Sequence, residues 1–288
     1  MARPLRSRFL QLRAFALAFA QWPMRSAQIG QLAMEALRMA PRHQEAKSLV
    51  RHGYKVYSQS DEDGMINEIF NRIQVSNKIF IEFGIGNGLE NNTFALLFQN
   101  WTGLWIDSDR KLISEIRAGL PRTLESGALS VLNSFITREN IDGLISSKIK
   151  EAEIDLLSID IDGNDFHVFD AINCVVPRVV VIEYNAKFPP PIKFCIDYDA
   201  SHVWQRDDCF GASLSFLEER MRLKGYCLVG CNLAGTNAFF VRQDLVEDKF
   251  LAPFSAEIHF QPPRYYLAEL PSGHRPSFGA LEKSSNSR

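Results

Sequence analysis

A chain of 288 residues has room for one large domain or two small ones, and 46% hydrophobic with 23% charged residues suits a globular protein with a sizeable core. The net charge of −2 gives no global electrostatic reason to expect nucleic acid or an anionic membrane as partner. Five cysteines, odd in number and without a CxxC pair, point to free thiols in a cytosolic protein; Cys227, Cys231, His202 and Cys209 make a poor zinc set.

The N-terminus carries Arg3, Arg6, Arg8, Arg13 and Arg25 and no acidic residue before Glu35. Within it FLQLRAFALAFA has an apolar face, but Arg13 interrupts the run and leaves it too short to span a bilayer. A helix packed on the domain is the plain expectation. An interfacial helix in peripheral contact with a membrane, or a targeting segment, are the alternatives. Leu32, Ala33, Leu37 and Ala40 predict one helix over 26–50, disturbed near its end by Pro41. Residues 1–53 thus read as a basic, helical extension.

A helix is expected from Ser60, where Ser60 and Asp63 resemble a capping box and Met65, Ile66, Ile69, Phe70 and Ile73 form the stripe. The rhythm then changes to short apolar runs at 78–84, 103–108, 128–133, 154–162 and 178–184, separated by intervals of crossover length. Such alternation predicts an α/β, doubly wound, Rossmann-like parallel sheet with helices on both faces. A helix over 212–224 follows. The runs YCLVGC and NAFFVR, joined by only NLAGT, must then form an antiparallel hairpin. One domain over 54–245 results. Residues 246–288 form a C-terminal extension, expected to be extended or disordered from 251 onward.

The chemistry gathers at the strand ends. IEFGIGNGLENNT, residues 81–93, places Glu82, Gly84, Gly86 and Gly88 after the first strand. The spacing is G-x-G-x-G, neither the G-x-G-x-x-G of a dinucleotide fold nor a phosphate loop, and the leading carboxylate repels pyrophosphate. Asp107 ends the second strand, where a carboxylate can accept both hydroxyls of a ribose; the alternative is a cap on the next helix. Ser134 and Phe135 follow the third strand, where an adenine would lie.

The fourth strand delivers Asp160, Asp162, Asp165 and His167. DIDGND fails as an EF-hand, because its sixth and twelfth positions are Asp165 and Ala171. Asp160 and Asp162, read as one face of the strand, converge with Glu183 from the fifth strand. Such a group can share a proton, hold a divalent cation or meet a cationic ligand. Asp165 is expected to cap the following helix. The segment 187–213, with its scattered aromatic residues, suits a lid or acceptor site, and His202 within it reads as an exposed-loop histidine.

On these residues the chain resembles the class I S-adenosylmethionine-dependent methyltransferases, and more narrowly the FkbM-type enzymes. The likeness rests on YSQSDEDG (57–64), IEFGIGNGLENNT, LLSIDIDGND, VVVIEYN and GTNAFFVR, and covers about 54–245. It implies the strand order 3-2-1-4-5-7-6, S-adenosylmethionine as cofactor, and methylation of a sugar or other small polar hydroxyl acceptor, small-molecule or glycan. It further implies that Glu82, Gly84, Gly86 and Gly88 hold the methionine portion, Asp107 the ribose, and Ser134 and Phe135 the adenine. Gln59, with Glu62 or Asp63, would contribute from upstream, and Asn92 from the loop's polar exit. The proton acceptor would come from Asp160, Asp162 or Glu183, with His167 a lesser candidate. One departure is visible: many FkbM-type loops read G-A-N-x-G, and this one reads Gly84-Ile85-Gly86-Asn87-Gly88. A nicotinamide-dependent oxidoreductase and a non-catalytic binding protein on the same fold are the competing readings.

Overall fold

The computed structural model describes residues 29–267 and 275–284; the FLQLRAFALAFA stretch and the last four residues lie outside them. Seven strands form one sheet: β1 (Ile79–Phe83), β2 (Thr102–Asp107), β3 (Leu129–Asn133), β4 (Glu153–Ile159), β5 (Val176–Glu183), β6 (Tyr226–Cys231) and β7 (Asn237–Arg242). Their order is β3-β2-β1-β4-β5-β7-β6, parallel except for the final hairpin, as expected. Chain direction reverses sides at β1 and β4, so their carboxyl ends open a crevice.

The helices are α1 (29–38), α2 (Glu62–Ile73), α3 (Phe94–Leu97), α4 (Arg110–Gly119), α5 (Pro121–Glu125), α6 (Ile141–Ser146), α7 (Asp165–Ala171), α8 (Leu214–Leu223), α9 (Gln243–Val246), α10 (Ala256–His259) and α11 (Gly279–Ser284). Alternation along β1 decides which face each packs on. Ile79, Ile81 and Phe83 join residues of α6, α7 and α8 in one core cluster. Phe80 joins α2, α3 and α4 in the other. Both faces are covered, which is why the parallel strands read as near-continuous apolar runs.

Three boundary expectations are corrected. The helix expected over 26–50 ends at residue 38, because Pro41 starts a separate turn of 3-10 helix, Pro41–His43. Helix α2 begins at Glu62 without a Ser60 box. The Asp63 carboxylate instead accepts from Val56 N, Tyr57 N and Ser58 N at 2.7, 2.8 and 2.8 Å, pinning the preceding loop. Where it is described, the C-terminal extension is packed rather than extended. Phe250, Ala256 and Leu281 are buried, and Glu282 of α11 accepts from Arg122 N and Thr123 Oγ1 at the start of α5.

Candidate functional site

A cavity of about 1190 Å³ lies over the carboxyl ends of the strands. Gln59, Gly84, Gly86, Asp107, Ser134, Phe135, Asp160, Asp162 and Glu183 line it, nine residues singled out from the sequence. Two glycines explain the loop's shape. Gly84 has φ +71°, and a Cβ there would lie 1.5 Å from the Asp160 carbonyl oxygen; any side chain would push β1 away from the β4 exit. Gly86 has φ +52° and open space where its Cβ would be, so it leaves bare backbone facing the cavity.

Asp107 fixes that loop. Its Oδ2 accepts from Gly86 N at 2.9 Å and its Oδ1 from Asp109 N at 2.8 Å. Capping of α4 falls to Asp109, which accepts from Lys111 N and Leu112 N. Asp107 is thereby left at the cavity wall with lone pairs to spare. Ser134 N and Asn133 Nδ2 donate to the Asp107 carbonyl at 2.9 and 3.0 Å, joining the β2 and β3 ends, and Phe135 stands exposed beside them.

The acidic cluster is not the one the alternation suggested. Strand β4 ends at Ile159, and Asp162 lies beyond it with φ +54°, so Asp160 and Asp162 do not share a strand face. Among the described residues the carboxylates that converge are Asp160, Asp165 and Glu183, whose oxygens lie within 4.8 Å of one another. Asp165 is the first residue of α7 and does not cap it as expected. It accepts from Ile161 N and Gly163 N at 2.8 and 2.9 Å, folding the β4–α7 turn back on itself. Burial and the neighbouring carboxylates push Asp160 and Glu183 well above the ordinary carboxylate range, and Glu183 Oε2 is buried without a partner. Asp162, facing the cavity, is raised by burial and by Asp107.

Five other candidates do not line the cavity. Glu82 turns back into the protein, accepting from Asn92 N, Thr93 N and Thr93 Oγ1 at 2.7, 3.1 and 2.5 Å; burial lifts it to about 7. Its work is to shape the glycine loop. Asn92 donates to Ser158 Oγ at 3.0 Å on β4. Gly88 packs towards Ile116 and Trp105. Glu62 is wholly buried and accepts from Asn232 and Asn237 of the hairpin at 2.6 and 3.1 Å, joining α2 to β7. His167 Nε2 lies 2.7 Å from the Ile196 carbonyl oxygen, an anchor for the 187–213 segment.

That segment, expected to be a lid or acceptor site, reaches the cavity, and Lys187, Asp207 and Asp208 are lining residues that the sequence did not single out. Lys187, His202, Trp204, Asp207, Asp208 and Phe210 line the cavity, and Pro263 and Tyr265 close it from the C-terminal extension. His202 packs so closely on Gly163 that a Cβ there would lie 2.2 Å from its ring, and its Nε2 is buried without a partner. The DG pair in DIDGND was the one trace of this contact in the sequence. Lys187 is paired with Asp208. Seven lining residues are acidic (Glu90, Asp107, Asp160, Asp162, Glu183, Asp207, Asp208), and the basic ones among the described residues are Lys187 and His202.

No protein-family model matches the chain, and no curated protein matches it. Solved structures with a similar arrangement include a Staphylococcus aureus protein described as a candidate caffeoyl-CoA O-methyltransferase. It has 14% identity and a TM-score of 0.46 over 73% of this chain and 99% of that one. Others are a Geobacter sulfurreducens methyltransferase (13%, TM-score 0.40, 74% and 87%) and the N-terminal domain of EvdMO1 with SAH bound (8%, TM-score 0.41, 63% and 79%). Likeness this low assigns no activity. The Rossmann-like fold stands on the strand order and register.

Proposed function

We propose that the protein is an S-adenosylmethionine-dependent methyltransferase of the FkbM type, acting on a hydroxyl of a sugar or other small polar acceptor. The observation that carries it is the charge of the cavity around the glycine loop. A dinucleotide brings a pyrophosphate, which seven carboxylates would repel and which no unpaired lysine or arginine in the lining would meet. A ligand with a sulfonium and an ammonium is drawn to the same wall. The same charge weighs against the competing oxidoreductase reading.

In this reading Gly84 and Gly86 pass the methionine portion along bare backbone, Asp107 takes the ribose hydroxyls, and Ser134 and Phe135 flank the adenine. Asp160 and Glu183 face the cationic amino-acid end or the acceptor. When bound, the cofactor supplies a methyl group on sulfur for in-line displacement by the acceptor oxygen. The chain's part is to align that oxygen and to take its proton on Asp160, Asp162 or Glu183. Raised carboxylate pKa values suit this, since a carboxylate of higher pKa is a stronger base and takes the proton more readily.

The convergence of Asp160, Asp165 and Glu183 and the unpartnered Glu183 oxygen also favour a second version, in which a hard divalent cation sits among them. Chelation would then stop transfer and spare cofactor binding. The deciding experiment is calorimetry with S-adenosylmethionine, S-adenosylhomocysteine and NAD. Binding of the first two is expected; tight NAD binding with no response to either would overturn the proposal.

A further inference from the structure

The overall charge of −2 conceals a division. Residues 1–55 hold ten Lys and Arg against two acidic residues, Glu35 and Glu45, a net of +8. The remaining 22 basic and 32 acidic residues leave the rest of the chain at −10. Such asymmetry in one chain marks a segment that meets an anionic surface.

The described part of that segment has a second property. On α1, Ile29, Leu32 and Ala36 are exposed, as is Met39 one residue past its end; Ile29, Leu32 and Met39 are 66%, 65% and 69% accessible. Their spacing of three, four and three puts them on one helical stripe. The opposite side is partly buried and held by Arg38, which reaches Asp61 at 3.7 Å. An ordinary surface helix turns its charges outward; α1 turns an apolar stripe outward and is preceded by a segment rich in arginine.

We propose that the outer stripe of α1, with the cationic segment before it, seats this protein on an anionic lipid bilayer. The occupant follows from the pairing. Nucleic acid would satisfy the arginines and leave the leucine and methionine side chains in water, whereas a headgroup boundary takes both. Through Arg38 and Asp61, α1 is tied to the loop that carries Gln59 into the cavity wall, so the seat lies beside the site. No helix among the described residues is long and apolar enough to cross a membrane.

The test is co-sedimentation of the full chain with vesicles of phosphatidylcholine alone or with a third phosphatidylglycerol. Binding at least tenfold stronger to the anionic vesicles, weakened at high salt, is expected. Leu32→Glu with Met39→Glu, and separately Arg6→Glu with Arg8→Glu and Arg13→Glu, should each cut it at least tenfold. Unchanged thermal midpoints would show that the fold survives. Equal affinity for both vesicles, or binding indifferent to both variants, overturns the proposal. So does a change in oligomeric mass caused by the stripe variant, which would make the stripe a contact between copies. Duplex DNA competing with vesicles and bound equally by the stripe variant would overturn it as well. None of these outcomes depends on methyl transfer.

Discussion

Strand β4 has a buried carboxylate group at each end, and the two ends are built on opposite principles. Near the amino end, Asp155 is wholly buried yet fully answered. Ser76, Asn77 and Lys78 donate backbone N–H groups at 2.7 to 3.0 Å, and the Arg178 guanidinium pairs with it. Arg178 in turn donates to the Gln74 and Ile73 carbonyls. At the carboxyl end Asp160, Asp165 and Glu183 crowd together with no cationic side chain among them, and one oxygen has no partner at all. The first arrangement holds the loop before β1 in place. The second is held together by the rest of the fold.

Removing the answer at the amino end is expected to do the most harm. Arg178→Ala leaves a buried uncompensated charge and should cost about 3–5 kcal/mol in urea unfolding, with little direct effect on cofactor affinity in what remains folded. At the other end the outcome should invert. Asp160→Asn relieves repulsion, so the unfolding midpoint should hold or rise, while S-adenosylmethionine binding by calorimetry falls about tenfold, or about 1.4 kcal/mol. Loss of stability in that variant with affinity intact would break the comparison.

The pH response sharpens it further. Asp160 and Glu183 are raised above 3.8 and 4.5, and Glu82 to about 7 from 4.5, so the folded protein binds more protons than the unfolded chain. Their stabilising contribution is complete below the unfolded values and is lost as pH rises through the folded ones, for Glu82 between 4.5 and about 7. Stability should therefore decline over that window. Affinity for the cationic cofactor should rise over it, because ionised carboxylates attract what neutral ones do not. The two curves, from thermal scans and calorimetry at matched pH, should slope in opposite directions. The smallest effect is expected from His167→Ala: about 1 kcal/mol for the lost Ile196 contact, with cofactor affinity unchanged.

Much of the site was legible because its residues sit at strand ends. Apolar runs locate β1, β2, β4 and β5, and whatever follows each run falls on one rim of the sheet; that is how Gly84, Gly86, Asp107, Asp160 and Glu183 were found together. Residue type did not reveal direction. Glu82 stands in the motif like a ligand-binding carboxylate, yet Asn92 and Thr93 fold back onto it, and Glu62 is claimed by two asparagines from the hairpin. His202 looked like any loop histidine, because its contact with Gly163 joins segments far apart in the chain.

The sequence by itself determined the strand alternation, the hairpin and the chemical character of the rim, since these depend on local period and on turns too short to cross over. Only the tertiary structure decided which carboxylates converge. Strand β4 stops at Ile159, the chain then takes a left-handed turn at Asp162, and Asp165 rather than Asp162 swings in beside Asp160 and Glu183. Where a strand ends is set by the backbone partners its neighbours offer, and side-chain alternation carries no record of that.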